Sequence, residues 1–143
     1  MGNVDNLPFY KQETEWTCGA AVMRMVLEFF GIKKSEKEIV KLLKSNEEEG
    51  TLPEELQKVA KKYNFKYMIK NKSSLDELKR LNEKGYFVIV SYYFPREKVD
   101  HYAIFKTIEQ QYIYFWDPWF GPNHKYKITY FNLIVFNIMV NIY

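Results

Sequence analysis

A chain of 143 residues with 47% hydrophobic and 18% aromatic residues can bury one substantial core, which excludes a disordered or low-complexity protein. The formal charge of +3 is spread through mixed runs such as Lys33-Lys34-Ser35-Glu36-Lys37-Glu38, with no basic stripe, and so argues against a nucleic-acid partner. A single cysteine rules out an internal disulfide.

The chain reads as one domain, residues 1–143. Met1 to Asp5 lack the basic and apolar segments of a secretory leader, and Asn6 stands where a myristoylation signal needs a hydroxyl residue. A helix is expected from Thr17, as N-cap, to Phe30, with Gly31 as its left-handed stop. Val22, Met23, Met25, Val26, Leu27, Phe29 and Phe30 cover most of its circumference, so it should be central and buried.

Three capping boxes follow. Ser35 with Glu38 opens a helix facing inward through Ile39, Leu42 and Leu43. Thr51 with Glu54, and Pro53 in the first turn, opens one bearing Leu56, Val59, Ala60 and Tyr63. Ser74 with Glu77 opens one bearing Leu75, Leu78 and Leu81 and ending at Gly85. Glu47-Glu48-Glu49-Gly50 reads as a solvated turn.

The second half reads as strands. Phe65 to Ile69 is an expected edge strand, and Tyr86 to Phe94 an apolar strand stopped by Pro95. His101 to Ile108 and Tyr112 to Trp116 flank Glu109-Gln110-Gln111 and predict an antiparallel hairpin. Asp117 to Pro122 is expected as a loop, followed from Lys125 by a strand or short helix. The apolar C-terminal run, Ile128 to Tyr143, is interrupted by Asn132, Asn137 and Asn141 and is too short for a bilayer; it is expected as an internal strand. Helices followed by an antiparallel sheet predict an α+β fold, and the absence of leader or span predicts a soluble, cytoplasmic protein.

Chemistry concentrates at four positions. Cys18 begins the first helix, where free backbone N–H groups and the macrodipole favour a thiolate. His101 is the expected base, taking the thiol proton and returning it to a leaving amine. It is preferred to His124, which lies in the expected loop, where register with a helix-borne thiol is harder to hold. Asp117, across the hairpin, is expected to orient the imidazole, whereas Asp100 neighbours His101 on one strand and must face away. Gln12, in the loop before Cys18, is placed to donate to an oxyanion beside the Cys18 N–H.

Gln-x5-Cys-Gly-x-Ala, then His101-Tyr102, then Asp117-Pro118, resembles the C39 peptidases and their stand-alone C39-like relatives within the papain-like superfamily. The Gly50-Thr51 step before a helix is similar as well. The resemblance implies a papain-like α+β fold with N-terminal helices packed on a C-terminal antiparallel sheet. It implies a cysteine peptidase with Cys18 as nucleophile, His101 as base, Asp117 as orienting acid and Gln12 as oxyanion donor. It implies no metal or organic cofactor, a peptide or protein substrate, and a preference for small residues such as Gly-Gly before the cut. Family members that trim double-glycine leaders are usually fused to a transporter, and no membrane segment follows here. Trp16 and Tyr102 flank nucleophile and base and are set to line the cleft, core packing being the other reading of Tyr102. The same residues also suit an acyltransferase or transpeptidase sharing the thioester, or a peptide-binding module without turnover.

Overall fold

The computed structural model describes residues 4–70, 73–94, 99–131 and 136–142, with the backbone alone for 94, 99–100 and 136–142. In chain order come a 3-10 turn (Val4–Asn6), α1 (Cys18–Phe29), α2 (Glu36–Leu43), α3 (Pro53–Lys62), β1 (Tyr67–Lys70), α4 (Leu75–Glu83), β2 (Phe87–Phe94), β3 (Val99–Glu109), β4 (Tyr112–Asp117), β5 (Gly121–Lys127), α5 (Ile128–Phe131) and β6 (Phe136–Ile142). The strands form one antiparallel sheet in the order β1-β6-β2-β3-β4-β5. The fold is α+β.

Alternation along β2 and β3 builds two cores. Phe87, Ile89, Tyr102 and Ile104 join Met23, Val26, Leu43 and Leu56 from α1, α2 and α3. Val88, Val90, Ala103 and Phe105 face the other way and meet Leu78 and Leu81 of α4 and Phe131 of α5. The expected stack of helices on a sheet is therefore a sheet covered on both faces, with α4 opposite α1. Within α1, Met23, Met25 and Leu27 are fully buried, and enclosing each such side chain contributes about 1.5–3 kcal/mol. The polar face of this helix is covered too: Arg24 stacks 3.6 Å over the Tyr10 ring, and the Tyr10 hydroxyl donates to Glu28 Oε1 at 2.7 Å. Only Arg24, Glu28 and Phe29 of α1 are partly exposed, and its first residue, Cys18, is buried.

The helix signals divide by what tertiary structure asks of them. The Ser35–Glu38 capping box forms in both directions, and Ser74 accepts from the Glu77 N–H. Thr17 occupies the N-cap position of α1, but its hydroxyl accepts from Thr14 N and makes no cap bond. The helix ends at Phe29, one residue short of expectation. Thr51 is not the cap of α3. Leu52 is, and Thr51 instead pairs its hydroxyl with Ser45 Oγ at 2.7 Å and accepts the Tyr102 hydroxyl on its carbonyl at 2.8 Å. A Cβ on Gly19 would lie 2.6 Å from Thr51 Cβ and Oγ1, so only glycine lets this segment cross the start of α1.

The β3–β4 hairpin closes through Gln110, whose positive φ of 54° makes the turn. The expected edge strand is present as β1 but starts at Tyr67, two residues later than expected, and the Glu47–Gly50 turn is closed by an Asn46–Gly50 bridge. The strand expected from Lys125 starts earlier, at Gly121, because Asp117 turns the chain within three residues and Gly121 pairs back with it. Of the C-terminal run expected as a strand, Ile128–Phe131 instead form α5, and Phe136–Ile142 form β6, an internal strand between β1 and β2. No helix of the described residues is long and apolar enough to cross a membrane.

Candidate active site

Three strand segments and the start of α1 meet at one end of the sheet. His101 is near the beginning of β3, directly across from Tyr92 of β2, and Asp117 is the last residue of β4. His101 Nε2 lies 2.9 and 3.0 Å from the two carboxylate oxygens of Asp117. Cys18 is the second group that acts on this ring, raising it through hydrogen bonding and charge. With Nε2 given to the carboxylate, Nδ1 is the nitrogen left for sulfur. Cys18 and His101 are buried but each keeps 8% exposure, whereas Asp117 keeps none.

A sealed carboxylate is costly unless donors surround it. Trp119 N and Phe120 N donate to Asp117 Oδ1 at 2.8 and 3.0 Å, and the Tyr92 hydroxyl donates to Oδ2 at 3.2 Å. Burial pushes the Asp117 carboxyl up, but the His101 hydrogen bond and charge, with the Phe120 and Trp119 N–H groups, hold it below the ordinary range. Burial likewise pulls His101 down. The hydrogen bonds to Asp117 and Cys18, and their charges, overcome it and raise the imidazole to about 10.

Behind the acid stand two tyrosines that sequence reasoning did not single out. Tyr92 is 1% exposed and its hydroxyl lies 3.2 Å from that of Tyr126 on β5. Burial, then the Asp117 charge, raises the Tyr92 hydroxyl well above its usual range, so it stays protonated and remains a donor. Nothing local marks Tyr92 among 12 tyrosines. The one available signal is register, since it is the residue that pairs with His101.

Gln12 is buried on the loop before α1. Its backbone N–H donates to Pro118 O at 2.9 Å, which ties this loop to the turn holding Asp117. One N–H of its side-chain amide donates to Thr14 O at 2.8 Å, and Oε1 is buried without a partner. The second amide N–H is left to donate elsewhere.

His124 is not in a loop. It sits on β5 across from Phe115, stacked on Phe120 at 4.4 Å and edge-on to Tyr126. Burial lowers its imidazole, which Asp117 opposes and His101 reinforces. Its Nε2 has no hydrogen-bond partner. The Asp100 side chain lies outside the described residues. Tyr102 belongs to the core on the α1 side, with its hydroxyl on Thr51 O. Trp16 is half-buried beside Thr17 and Cys18. No group of three or more possible metal ligands occurs among the described residues.

The model of the Peptidase_C39 like family matches residues 4–142. Among solved structures, the chain is similar to a double glycine motif protease from an AMS/PCAT transporter, crystallised in complex with the leader peptide. The TM-score is 0.73 and the identity 17%, over 99% of this chain and 95% of that one. It is also similar to the peptidase domain of Streptococcus ComA, a bi-functional ABC transporter involved in a quorum sensing pathway. There the TM-score is 0.74 and the identity 19%, over 96% and 97% of the two chains. No curated protein matches the sequence.

Proposed function

The chain belongs to the C39-like peptidase family, and from that membership and the linked side chains of Cys18, His101 and Asp117 we propose that it is a cysteine peptidase. The Cys18 thiolate, paired with the His101 imidazolium, attacks a peptide carbonyl and forms a carbon–sulfur bond. The second amide N–H of Gln12 and the free backbone N–H of Cys18 at the helix start receive the oxyanion. The imidazolium then gives its proton to the leaving amine as the carbon–nitrogen bond breaks. Water, deprotonated by the same imidazole, hydrolyses the thioester. Asp117 keeps the ring in place and stabilises its charge, with Tyr92 and the Trp119 and Phe120 N–H groups holding the carboxylate.

The observation that carries this reading is the 2.9 Å hydrogen bond between His101 and a fully buried Asp117, on an imidazole that Cys18 also raises. A structural neighbour that is a double glycine motif protease favours a peptide substrate with small residues before the cut. Incubation with peptides containing Gly-Gly, followed by mass spectrometry, should give two fragments with the native chain and none with Cys18→Ala. Iodoacetamide should label the native thiol quickly at pH 6 and far more slowly in His101→Ala. Intact peptides, together with labelling indifferent to His101, would end the proposal. Binding retained by both chains with cleavage by neither would identify a peptide-binding module instead.

A further inference from the structure

Of the buried ionisable groups outside the Cys18–His101–Asp117 chain, one carboxylate reaches the loop before α1. Glu36, the first residue of α2, is 2% exposed. Its Oε1 and Oε2 accept the backbone N–H of Glu13, the residue after Gln12, at 3.2 and 3.0 Å. The Gln12 segment is thus gripped twice, by Pro118 O on its own N–H and by Glu36 on the following one.

We infer that Glu36 is a positioning residue that holds the Gln12 amide at the oxyanion site; the inference rests on the peptidase reading above. A carboxylate is the fitting group because both oxygens accept. A glutamine there would turn an N–H₂ toward the Glu13 N–H or offer one acceptor in place of two. Burial leaves this carboxyl above the ordinary carboxylate range, against the donors around it. Burial pushes the carboxyl up, while the Glu13 N–H and the Thr17 hydroxyl pull it back, the Glu13 charge opposes them and Arg24 assists. The start of α2 adds its dipole. Sequence alone shows Glu36 as a first-turn acid beside a capping serine, a surface role; only the packing of the loop onto α2 gives it this partner.

Two reagents separate positioning from general support. With p-nitrophenyl acetate the thiolate forms a carbon–sulfur bond, passes through an oxyanion and expels p-nitrophenolate. With iodoacetamide it displaces iodide at a saturated carbon, and no oxyanion forms. Glu36→Gln should slow acylation about tenfold, a part of the roughly 100- to 1000-fold that outright loss of such a donor costs, and change alkylation less than about twofold. In a Gln12→Ala background the same substitution should change acylation less than about twofold. Equal slowing of both reactions, slowing of neither, or independent losses in the double variant would each overturn the inference. If Glu36→Gln does not fold, Glu36→Asp keeps the charge but withdraws it by one methylene, and should give the same split between reagents. A native thiol that p-nitrophenyl acetate acylates no faster than free cysteine, relative to iodoacetamide, would instead remove the peptidase reading, a failure seen before any variant is made.

Discussion

At the scale of single residues, His101 is held between a carboxylate and a thiol, and its proton is the quantity that both partners control. The imidazole stands at about 10, so the imidazolium should persist through neutral pH and be lost only in strong base. We expect kcat/KM to fall along an alkaline limb near 10, and Asp117→Asn to move that limb toward 6.5 while lowering kcat by at least about tenfold. A native limb near 6.5 would mean that the pairing does not govern the ring. Stability follows the same protons. The raised value of His101 makes its contribution complete below 6.5 and lost as pH rises through about 10. The lowered value of Asp117 makes its contribution complete above 3.8 and lost as pH falls through the depressed value. The urea midpoint of the native chain should therefore exceed that of Asp117→Asn most between about pH 4 and 6.5, with the gap closing toward both extremes. Tyr92→Phe removes one donor from Asp117 but little volume. The more basic carboxylate should hold the imidazolium harder, raise the alkaline limb and lower kcat about three- to tenfold at unchanged KM. An unmoved limb would reduce Tyr92 to core packing. Cys18 and His101 could be proposed from sequence because the chain offers one cysteine and two histidines to choose from, and Asp117 and Gln12 from their places in the motif around them. Tyr92 and Glu36 could not, because abundant residue types acquire these partners only through strand register and loop packing.

At the scale of elements, the same distinction decides which helix signals can be trusted. Ser35 lies at an exposed helix start with no competing partner, so its local capping box forms as written. Ser35→Ala should cost about 1 kcal/mol, measured as a lower urea midpoint with the slope unchanged. Thr51 carries the same motif but is buried, and Ser45 and Tyr102 claim it before the helix does. The crossing of Thr51 over Gly19 then becomes the tighter constraint. Gly19→Ala must push apart Thr51 and the start of α1, which should cost about 1–3 kcal/mol and reduce Cys18 reactivity as well. Adding Thr51→Gly removes every side-chain atom that the new methyl meets and should restore part of that reactivity. If Gly19→Ala alone left both stability and thiol reactivity intact, the crossing would not be what places Cys18.

At the scale of the whole molecule, what orders the site is a sheet whose longest-range pairings, β1–β6 and β2–β6, both run through the C-terminal strand. The β3–β4 hairpin was legible because two apolar runs flank a short polar turn, and a hairpin needs no information from elsewhere in the chain. The order of the six strands was not legible, since β6 carries no local mark of its neighbours β1 and β2, which lie far back in the chain. The site stands downstream of that order. β6 pairs with β2 along its length, including opposite Tyr92, while β2 in turn pairs with the strand bearing His101. Removing residues 136–143 should therefore do more than strip an end: it withdraws the strand that joins β1 to β2 and leaves β2 as an unpaired edge. We expect the shortened chain to lose cooperative urea unfolding and rapid Cys18 labelling together, although every residue of the Cys18–His101–Asp117 chain remains. A truncated protein that still unfolds in one sharp transition and labels at the native rate would show that the β2–β5 half of the sheet orders the site unaided.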